Sequence, residues 1–325
     1  MYYAIRHVTQ FRYSAPITES VMEVRMQPRR DGNQHCLSFE LVTNPRSRIT
    51  ASRDYLGNIV HHFDIPGQHS QLTITAQATV SVTAPRDLGV LRADAWNQLD
   101  ALVADSDAAE MLIPSHFVRF SPALEELARE LDVRRRDDPL TVLRDSMTGI
   151  HKSFAYRPQS TLVDSPIEEV LRIRQGVCQD YAHVMIALAR NIGIPCRYVS
   201  GYLYRRITDA DRVGADATHA WVEALLPDAG WVGFDPTNDM VVGERHIRTA
   251  VGRDYADVPP DRGVFRGQAR TELAVAVQVS LADEAPVDDE LTLVMQKLPP
   301  EIAGEQPQQQ QQSGTYAATQ MYAMD

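Results

Sequence analysis

The hydrophobic period of the chain changes near residue 100, and this change limits the folds that the chain can adopt. From Tyr2 to about Thr83, apolar and polar residues alternate in short runs that Asp-Gly, Asn-Pro and Pro-Gly pairs separate. Alternation with a period of two is typical of strands that bury one face, and these residue pairs mark turns. The sequence therefore predicts a β-sandwich of about six strands within residues 1–100.

Helical periodicity replaces this alternation in the second part of the chain. Ser121 and Pro122 open the run SPALEELARELD, in which apolar residues recur at intervals of three and four. A second helix is expected at DPLTVLRDSMTGIHKSF. The strongest helical pattern follows Gly176, where a continuous apolar stripe predicts a buried helix.

The end of this buried helix and the segments after it predict the rest of the second domain. Gly193 offers the left-handed position that often follows a helix, and Pro195 blocks its continuation. Three β segments follow, CRYVSGYLYRR, THAWVEALLP and GWVGFDP, and a tight turn joins the last two as a hairpin. Residues 101–298 are therefore predicted to form an α+β domain, with the central helix packed on an antiparallel sheet.

The end of the chain shows two further patterns. The segment RTELAVAVQVSL alternates as a strand, and we assign it to the second domain as its final strand. Residues 299–325 contain a glutamine run and few large apolar residues, a composition that is typical of disorder. We therefore predict a disordered glutamine-rich tail.

Charge and cysteine content restrict the possible partners and the compartment. A formal net charge of −11 argues against nucleic acid and anionic membranes as partners, because both require clustered cationic charge. No segment approaches the about 20 apolar residues that cross a bilayer, and the first residues lack the apolar core of a secretory signal. The three cysteines are an odd number, so at least one thiol stays free. We expect a cytoplasmic protein of undetermined oligomeric state.

Three residues of the second domain suggest nucleophilic catalysis. Cys178 begins the buried helix, where unpaired N–H groups and the helix dipole favour a thiolate, and its own backbone N–H can donate to an oxyanion. His219 lies in THAWVEALL, and Asp235 ends GWVGFD. In a hairpin that turns near Asp228, these two side chains become cross-strand neighbours. The three residues therefore predict a Cys–His–Asp site for acyl transfer from an amide.

Other interpretations of the residues in this region have less support from the sequence than the Cys–His–Asp site. His183 lies five residues after Cys178, roughly 140° around the helix, so we interpret it as structural. A zinc site formed by Cys178, His183, Cys196 and His219 would draw ligands from opposite sides of a helix and lacks a C-x-x-C pair. No metal or cofactor is predicted. Glu223 either binds a substrate amine or faces solvent.

Two stretches of the chain resemble a known family. The stretches FAYRPQSTLVDSPIEEVLRIRQGVCQDYAHVMIALARNIGIPCRYVSGYL and HAWVEALLPDAGWVGFDPTND resemble the core of bacterial transglutaminase-like proteins. RHVTQFRYSAPITES and RDYLGNIVHHF resemble their amino-terminal β domain. In that family the cysteine of GVCQDYA, the histidine of HAWVE and the aspartate of FDPTN form the triad, which corresponds to Cys178, His219 and Asp235 here.

The resemblance implies a papain-like α+β core behind a β-sandwich, without a metal or cofactor. It also implies a thioester intermediate on Cys178 that forms from a peptide or protein substrate. An amine that captures the thioester gives transamidation, whereas water gives the reaction of a cysteine protease or amidase. A non-catalytic binding or scaffold protein is the alternative from another class.

Overall fold

The structure is a computed structural model that describes residues 1–85, 88–89, 91–206 and 218–282. The predicted tail, residues 299–325, lies outside the described residues. The described part contains one six-stranded sheet, one five-stranded sheet and a short parallel pair of strands. Helices accompany the five-stranded sheet, as the change of hydrophobic period predicts.

Within residues 1–100, the described part of the chain forms four strands where the alternation predicts about six, because two of them are long, with 23 and 24 residues. These strands are β1 (Tyr2–Val24), β2 (Gln34–Asn44), β3 (Thr50–Arg53) and β4 (Ile59–Val82). β1 and β4 pair along most of their length, with irregular register between Arg12 and Ile17. Side chains from both sides of this irregularity, such as Phe11 and Met22, share one buried cluster. β1 and β4 therefore continue through this irregularity within one sheet.

Five α-helices follow. They are α1 (Ala95–Ala104), α2 (Pro122–Glu130), α3 (Pro139–Ser153), α4 (Ile167–Ile173) and α5 (Cys178–Asn191). Ser121 accepts a hydrogen bond from the Leu124 backbone N–H, the capping interaction expected of a serine at this position. Gly193 adopts a φ of 86° just after α5, as predicted. Among the described residues, no helix combines the length and apolar content that crossing a bilayer requires.

The second region also contains seven strands. They are β5 (Ala155–Tyr156), β6 (Gln175–Gly176), β7 (Cys196–Leu203), β8 (Thr218–Leu226), β9 (Gly230–Asp235), β10 (Met240–Val241) and β11 (His246–Gly252). The last five form an antiparallel sheet in the order β10-β9-β8-β7-β11. Leu188 of α5 and Val222 of β8 belong to the same buried core. The predicted α+β fold, with its central helix packed on an antiparallel sheet, is confirmed.

Two late strands join the first sheet instead of the second. β12 (Asp261–Arg266) and β13 (Thr271–Leu281) both pair with β1. The first sheet therefore combines four strands from residues 2–82 with two strands from residues 261–281. The sequence analysis assigned residues 101–298 to the second domain, including the segment that forms β13. Alternation identifies a strand but does not show which sheet edge the strand joins. The chain therefore forms the five-stranded sheet first and then adds its last two described strands to the six-stranded sheet.

Two amide side chains of the first region cover the free edge of β11. Gln34 donates to the Arg248 carbonyl at 2.9 Å and accepts from the Arg248 N–H at 2.8 Å. Asn58 makes the same pair of bonds with Val251, both at 2.8 Å. Both amides are buried. They satisfy backbone groups that an edge strand otherwise exposes, and so they fix the two sheets relative to each other.

Replacing Asn58 by alanine is expected to destabilise the protein by about 3 kcal/mol, because a buried N–H and a buried C=O of Val251 both lose their partner. Urea unfolding measures this change. Asn97→Ala is the matched control, since Asn97 is exposed on α1. If the two variants unfold at the same urea concentration, the Asn58 amide does not contribute to the docking of the sheets.

Candidate active site

Cys178 is the first residue of α5, and the residues around it fix the turn into the helix. The Asp180 carboxylate accepts hydrogen bonds from the Val177 backbone N–H and from the Thr161 hydroxyl, both at 2.8 Å. A Cβ atom on Gly176 would lie 2.5 Å from the same carboxylate oxygen, so glycine leaves room for this contact. The thiol is therefore held at the first turn of the helix, as predicted, with 5% of the residue exposed.

The imidazole of His219 is hydrogen-bonded to Asp235, as predicted. The distance from Nε2 to the carboxylate Oδ2 is 2.7 Å, and both residues are fully buried. Because Val222 pairs with Phe234, the register places Asp235 opposite Trp221 and diagonal to His219. Diagonal neighbours across a strand pair remain within reach of long side chains. The hairpin therefore creates the contact through a diagonal pair.

Both carboxylate oxygens of Asp235 accept hydrogen bonds. Its Oδ1 accepts from the backbone N–H groups of Thr237 at 3.0 Å and Asn238 at 3.2 Å. Its Oδ2 accepts from the Asn238 amide at 2.8 Å and from His246 at 3.2 Å, in addition to His219. Burial alone would raise the pKa of Asp235, but His219 and the other donors hold it well below its usual range. Asp235 is therefore a fixed carboxylate.

The surroundings of His219 favour the protonated form of its imidazole. Burial alone would lower its pKa, but the charge and hydrogen bond of Asp235, with a smaller contribution from Cys178, raise the pKa to about 10. Asp235 holds Nε2, so Nδ1 is the nitrogen left for the thiol. Within the described residues, Nδ1 has no hydrogen-bond partner of ordinary geometry, so the thiol contact is looser than the bond to Asp235.

Tyr156 is a neighbour of this site that the sequence analysis missed. It pairs with Gly176 across the short parallel strands β5 and β6, and its ring centroid lies 6.4 Å from that of Tyr181. Burial and the nearby Cys178 raise the pKa of the phenol well above its usual range, so the hydroxyl stays protonated. A two-residue strand pair leaves no periodic signal in the sequence, so the contact could not be predicted.

Glu223 neither faces solvent nor remains free to bind an amine, so both interpretations of this residue are wrong. Its carboxylate lies 2.6 Å from an Arg197 guanidinium nitrogen and 3.1 Å from one of Arg248, and the side chain is 2% exposed. These cations lower the pKa of Glu223 against the opposing effect of burial, so the ion pairs keep the carboxylate charged. Glu223 is a structural residue of the sheet.

His183 lies outside the site, and its structural interpretation is confirmed. Its Nε2 accepts a hydrogen bond from the Tyr255 backbone N–H at 3.2 Å, and its ring stacks on Phe117. In the part of the chain that the structure describes, the residues whose potential ligand atoms cluster are His219, Asp235 and His246, with those atoms within 4.8 Å of one another. Both imidazoles contact one oxygen of Asp235, so we interpret this trio as a hydrogen-bond network.

Two family models match the chain. The model of the transglutaminase-like superfamily matches residues 125–236, a range that contains Cys178, His219 and Asp235. The model of the bacterial transglutaminase-like N-terminal region matches residues 3–81. The two matches cover most of the first sheet and the core of the second region.

Similar proteins cover either most of the chain or about a third of it. An uncharacterized protein of Mycobacterium tuberculosis is 36% identical over 293 residues, which is 85% of this chain and 92% of that protein. The protein-glutamine gamma-glutamyltransferase of Pseudomonas aeruginosa is 37% identical over 127 residues, which is 36% of this chain and 19% of that protein. A solved structure of a candidate cysteine protease from Cytophaga hutchinsonii has a TM-score of 0.69 at 21% identity and covers 86% of this chain and 90% of its own. This last similarity supports the fold.

Proposed function

The chain belongs to the transglutaminase-like superfamily, and from this membership we propose that it is a cysteine enzyme that transfers acyl groups from peptide or protein amides. The observation that carries the proposal is the buried His219–Asp235 pair, 2.7 Å apart, whose imidazole also interacts with Cys178. An imidazolium beside a cysteine at a helix N-terminus favours the nucleophilic thiolate. The same arrangement gives no advantage to a scaffold protein, which is the alternative from another class.

The reaction begins with attack of the Cys178 thiolate on the amide carbon. A carbon–sulfur bond forms, and the carbonyl oxygen becomes an oxyanion that the backbone N–H of Cys178 stabilises. The His219 imidazolium then gives its proton to the amide nitrogen, and the carbon–nitrogen bond breaks. The products are a thioester on Cys178 and a free amine, or ammonia when the donor is a glutamine side chain.

An acceptor then resolves the thioester. A primary amine or a water molecule attacks the thioester carbon, neutral His219 takes a proton from it, and the carbon–sulfur bond breaks to restore the starting site. Cys178 is 5% exposed and His219 is fully buried, so little water reaches the sulfur. This burial restricts a primary amine as well as water, so transamidation is proposed over the alternative of a cysteine protease or amidase from the similarity to the protein-glutamine gamma-glutamyltransferase of Pseudomonas aeruginosa.

We expect the protein to incorporate a primary amine into glutamine-containing peptides faster than it hydrolyses them, because part of the chain is 37% identical to a protein-glutamine gamma-glutamyltransferase. The test incubates the protein with a peptide library, with and without a fluorescent primary amine, and identifies the products by mass spectrometry. Transamidation of a glutamine adds the mass of the amine less ammonia, and hydrolysis of the same thioester adds water less ammonia and leaves a glutamate. Hydrolysis of a main-chain amide adds water across two fragments.

The matched control is Cys178→Ala, which should give neither product. Fragments, or glutamines converted to glutamates, without amine incorporation would identify a hydrolase in place of a transferase. Unchanged peptides in every condition, together with equal results for the wild type and the control, would overturn the enzymatic proposal.

A further inference from the structure

His246 contributes a second imidazole to Asp235. It begins β11, where it pairs with Leu203 of β7, and it is buried. Its Nε2 lies 3.2 Å from Asp235 Oδ2, the same oxygen that accepts from His219. Two imidazoles from different strands therefore share one carboxylate oxygen.

The tautomer of His246 follows from its two hydrogen bonds. Its Nδ1 accepts from the Gly243 backbone N–H at 3.4 Å, so this nitrogen carries no proton. The proton of the neutral ring is therefore on Nε2, which donates it to Asp235. The contact is a hydrogen bond from a neutral donor.

The surroundings keep this ring neutral. Burial lowers the pKa of His246 and outweighs the opposite effect of Asp235, while His219 and Arg245 lower it further. These are the charged groups that face the ring, and the indole of Trp221 packs against it with ring centroids 5.1 Å apart. Because His246 brings no charge, the single negative charge of Asp235 remains available to His219.

We propose that His246 is a positioning residue that holds Asp235 in place and moderates how strongly Asp235 retains the proton of His219. A neutral donor on Oδ2 competes for the electron density that binds the imidazolium. The imidazolium is then a stronger acid toward the leaving amine than it would be beside an Asp235 without this donor. This inference rests on the proposed function for its role in turnover, but the proton balance itself can be measured without turnover.

The first test is an NMR titration of the wild-type protein labelled with ¹⁵N in its histidines. At neutral and alkaline pH, His246 should appear as the neutral tautomer with its proton on Nε2 and should gain a second proton only at a lower pH than an ordinary histidine does, while His219 should titrate near pH 10. A His246 ring that gains a proton near pH 6.5 would overturn the proposal. This result is independent of whether the protein is an enzyme.

The second test compares His246→Phe with His246→Gln. Phenylalanine removes the donor, so the His219 titration and the alkaline limb of the activity profile should move upward, and kcat should fall about tenfold with little change in KM. Glutamine places an amide N–H near the position of Nε2 and should restore the wild-type profile.

A merely structural role for His246 predicts the opposite shift. Loosened packing would admit water to the pair, and the His219 titration would move down toward that of an ordinary histidine. His183→Phe, which alters another buried histidine without touching Asp235, controls for lost stability and should leave the alkaline limb in place. If His246→Phe does not fold, the titration of His219 in His246→Gln decides. A His219 titration at lower pH than in the wild type overturns the proposal, and a titration at the wild-type pH supports it.

Discussion

Cys178→Ala is expected to abolish amide turnover and to leave the fold intact. The substitution removes the only atom that can form the thioester, and the loss of a nucleophile that acts together with its base reaches about 10⁶-fold in a comparable catalytic unit. The structural cost is small, because the side chain loses only the sulfur and α5 keeps the contacts of Asp180 with Val177 and Thr161. We expect the free energy of unfolding to fall by about 1 kcal/mol.

Turnover of a glutamine peptide and urea unfolding measure the two effects separately. Cys36→Ala is the matched control, because Cys36 lies on β2 in the first region and burial raises the pKa of its thiol. Burial also raises the pKa of Cys196, to about 12, so neither of these thiols should react rapidly with iodoacetamide at neutral pH. Rapid alkylation should therefore map to Cys178, disappear in Cys178→Ala and persist in Cys36→Ala. Equal turnover in Cys178→Ala and the wild type would refute the assignment of the nucleophile.

The three candidate residues could be identified from sequence because local patterns determine their placement. Gly176 permits the contact of Asp180 with the turn, and so a glycine two residues before Cys178 indicates where the helix begins. The hairpin of β8 and β9 has a short turn, so the register that brings His219 to Asp235 is restricted as well. In both the helix start and the hairpin, short-range geometry was therefore sufficient to predict where the candidate side chains lie.

Residues whose partners lie on strands outside their own hairpin could not be interpreted in this way. Glu223 resembles an exposed strand residue until β7 and β11 bring Arg197 and Arg248 to it. His246 reaches Asp235 only because β11 lies beside β7, on the side of β7 opposite β8. Strand order within a sheet is not encoded in the hydrophobic period, and the return of β12 and β13 to the first sheet was missed for the same reason.

His219→Ala is expected to reduce amide turnover by about 10³-fold or more, because the site loses both the cation that favours the thiolate and the acid that protonates the leaving amine. Asp235 also loses the only strongly cationic partner among its donors. Removal of one member of a buried ion pair costs about 3 kcal/mol of unfolding free energy. The variant should therefore be less stable than Cys178→Ala as well as inactive.

The pH dependence of stability should separate His219 from an ordinary buried histidine. Its pKa rises from 6.5 in the unfolded chain to about 10 in the folded one, so folding takes up a proton between these two values. The stabilisation that this proton provides is complete below about pH 6.5 and is lost as the pH rises toward 10. The wild type should therefore lose stability over this interval, and His219→Ala should lack this loss.

Unfolding measured at several pH values in both proteins provides the comparison, with His35→Ala as the control because His35 is exposed on β2. The stability difference between the wild type and His219→Ala should be largest at or below about pH 6.5 and should shrink as the pH rises toward 10. A difference that grows with pH would mean that the folded protein keeps His219 neutral. A neutral imidazole would have to take the proton of the Cys178 thiol before it could protonate the leaving amine, so that outcome would remove the resting thiolate–imidazolium pair from the mechanism and leave His219 as a general base.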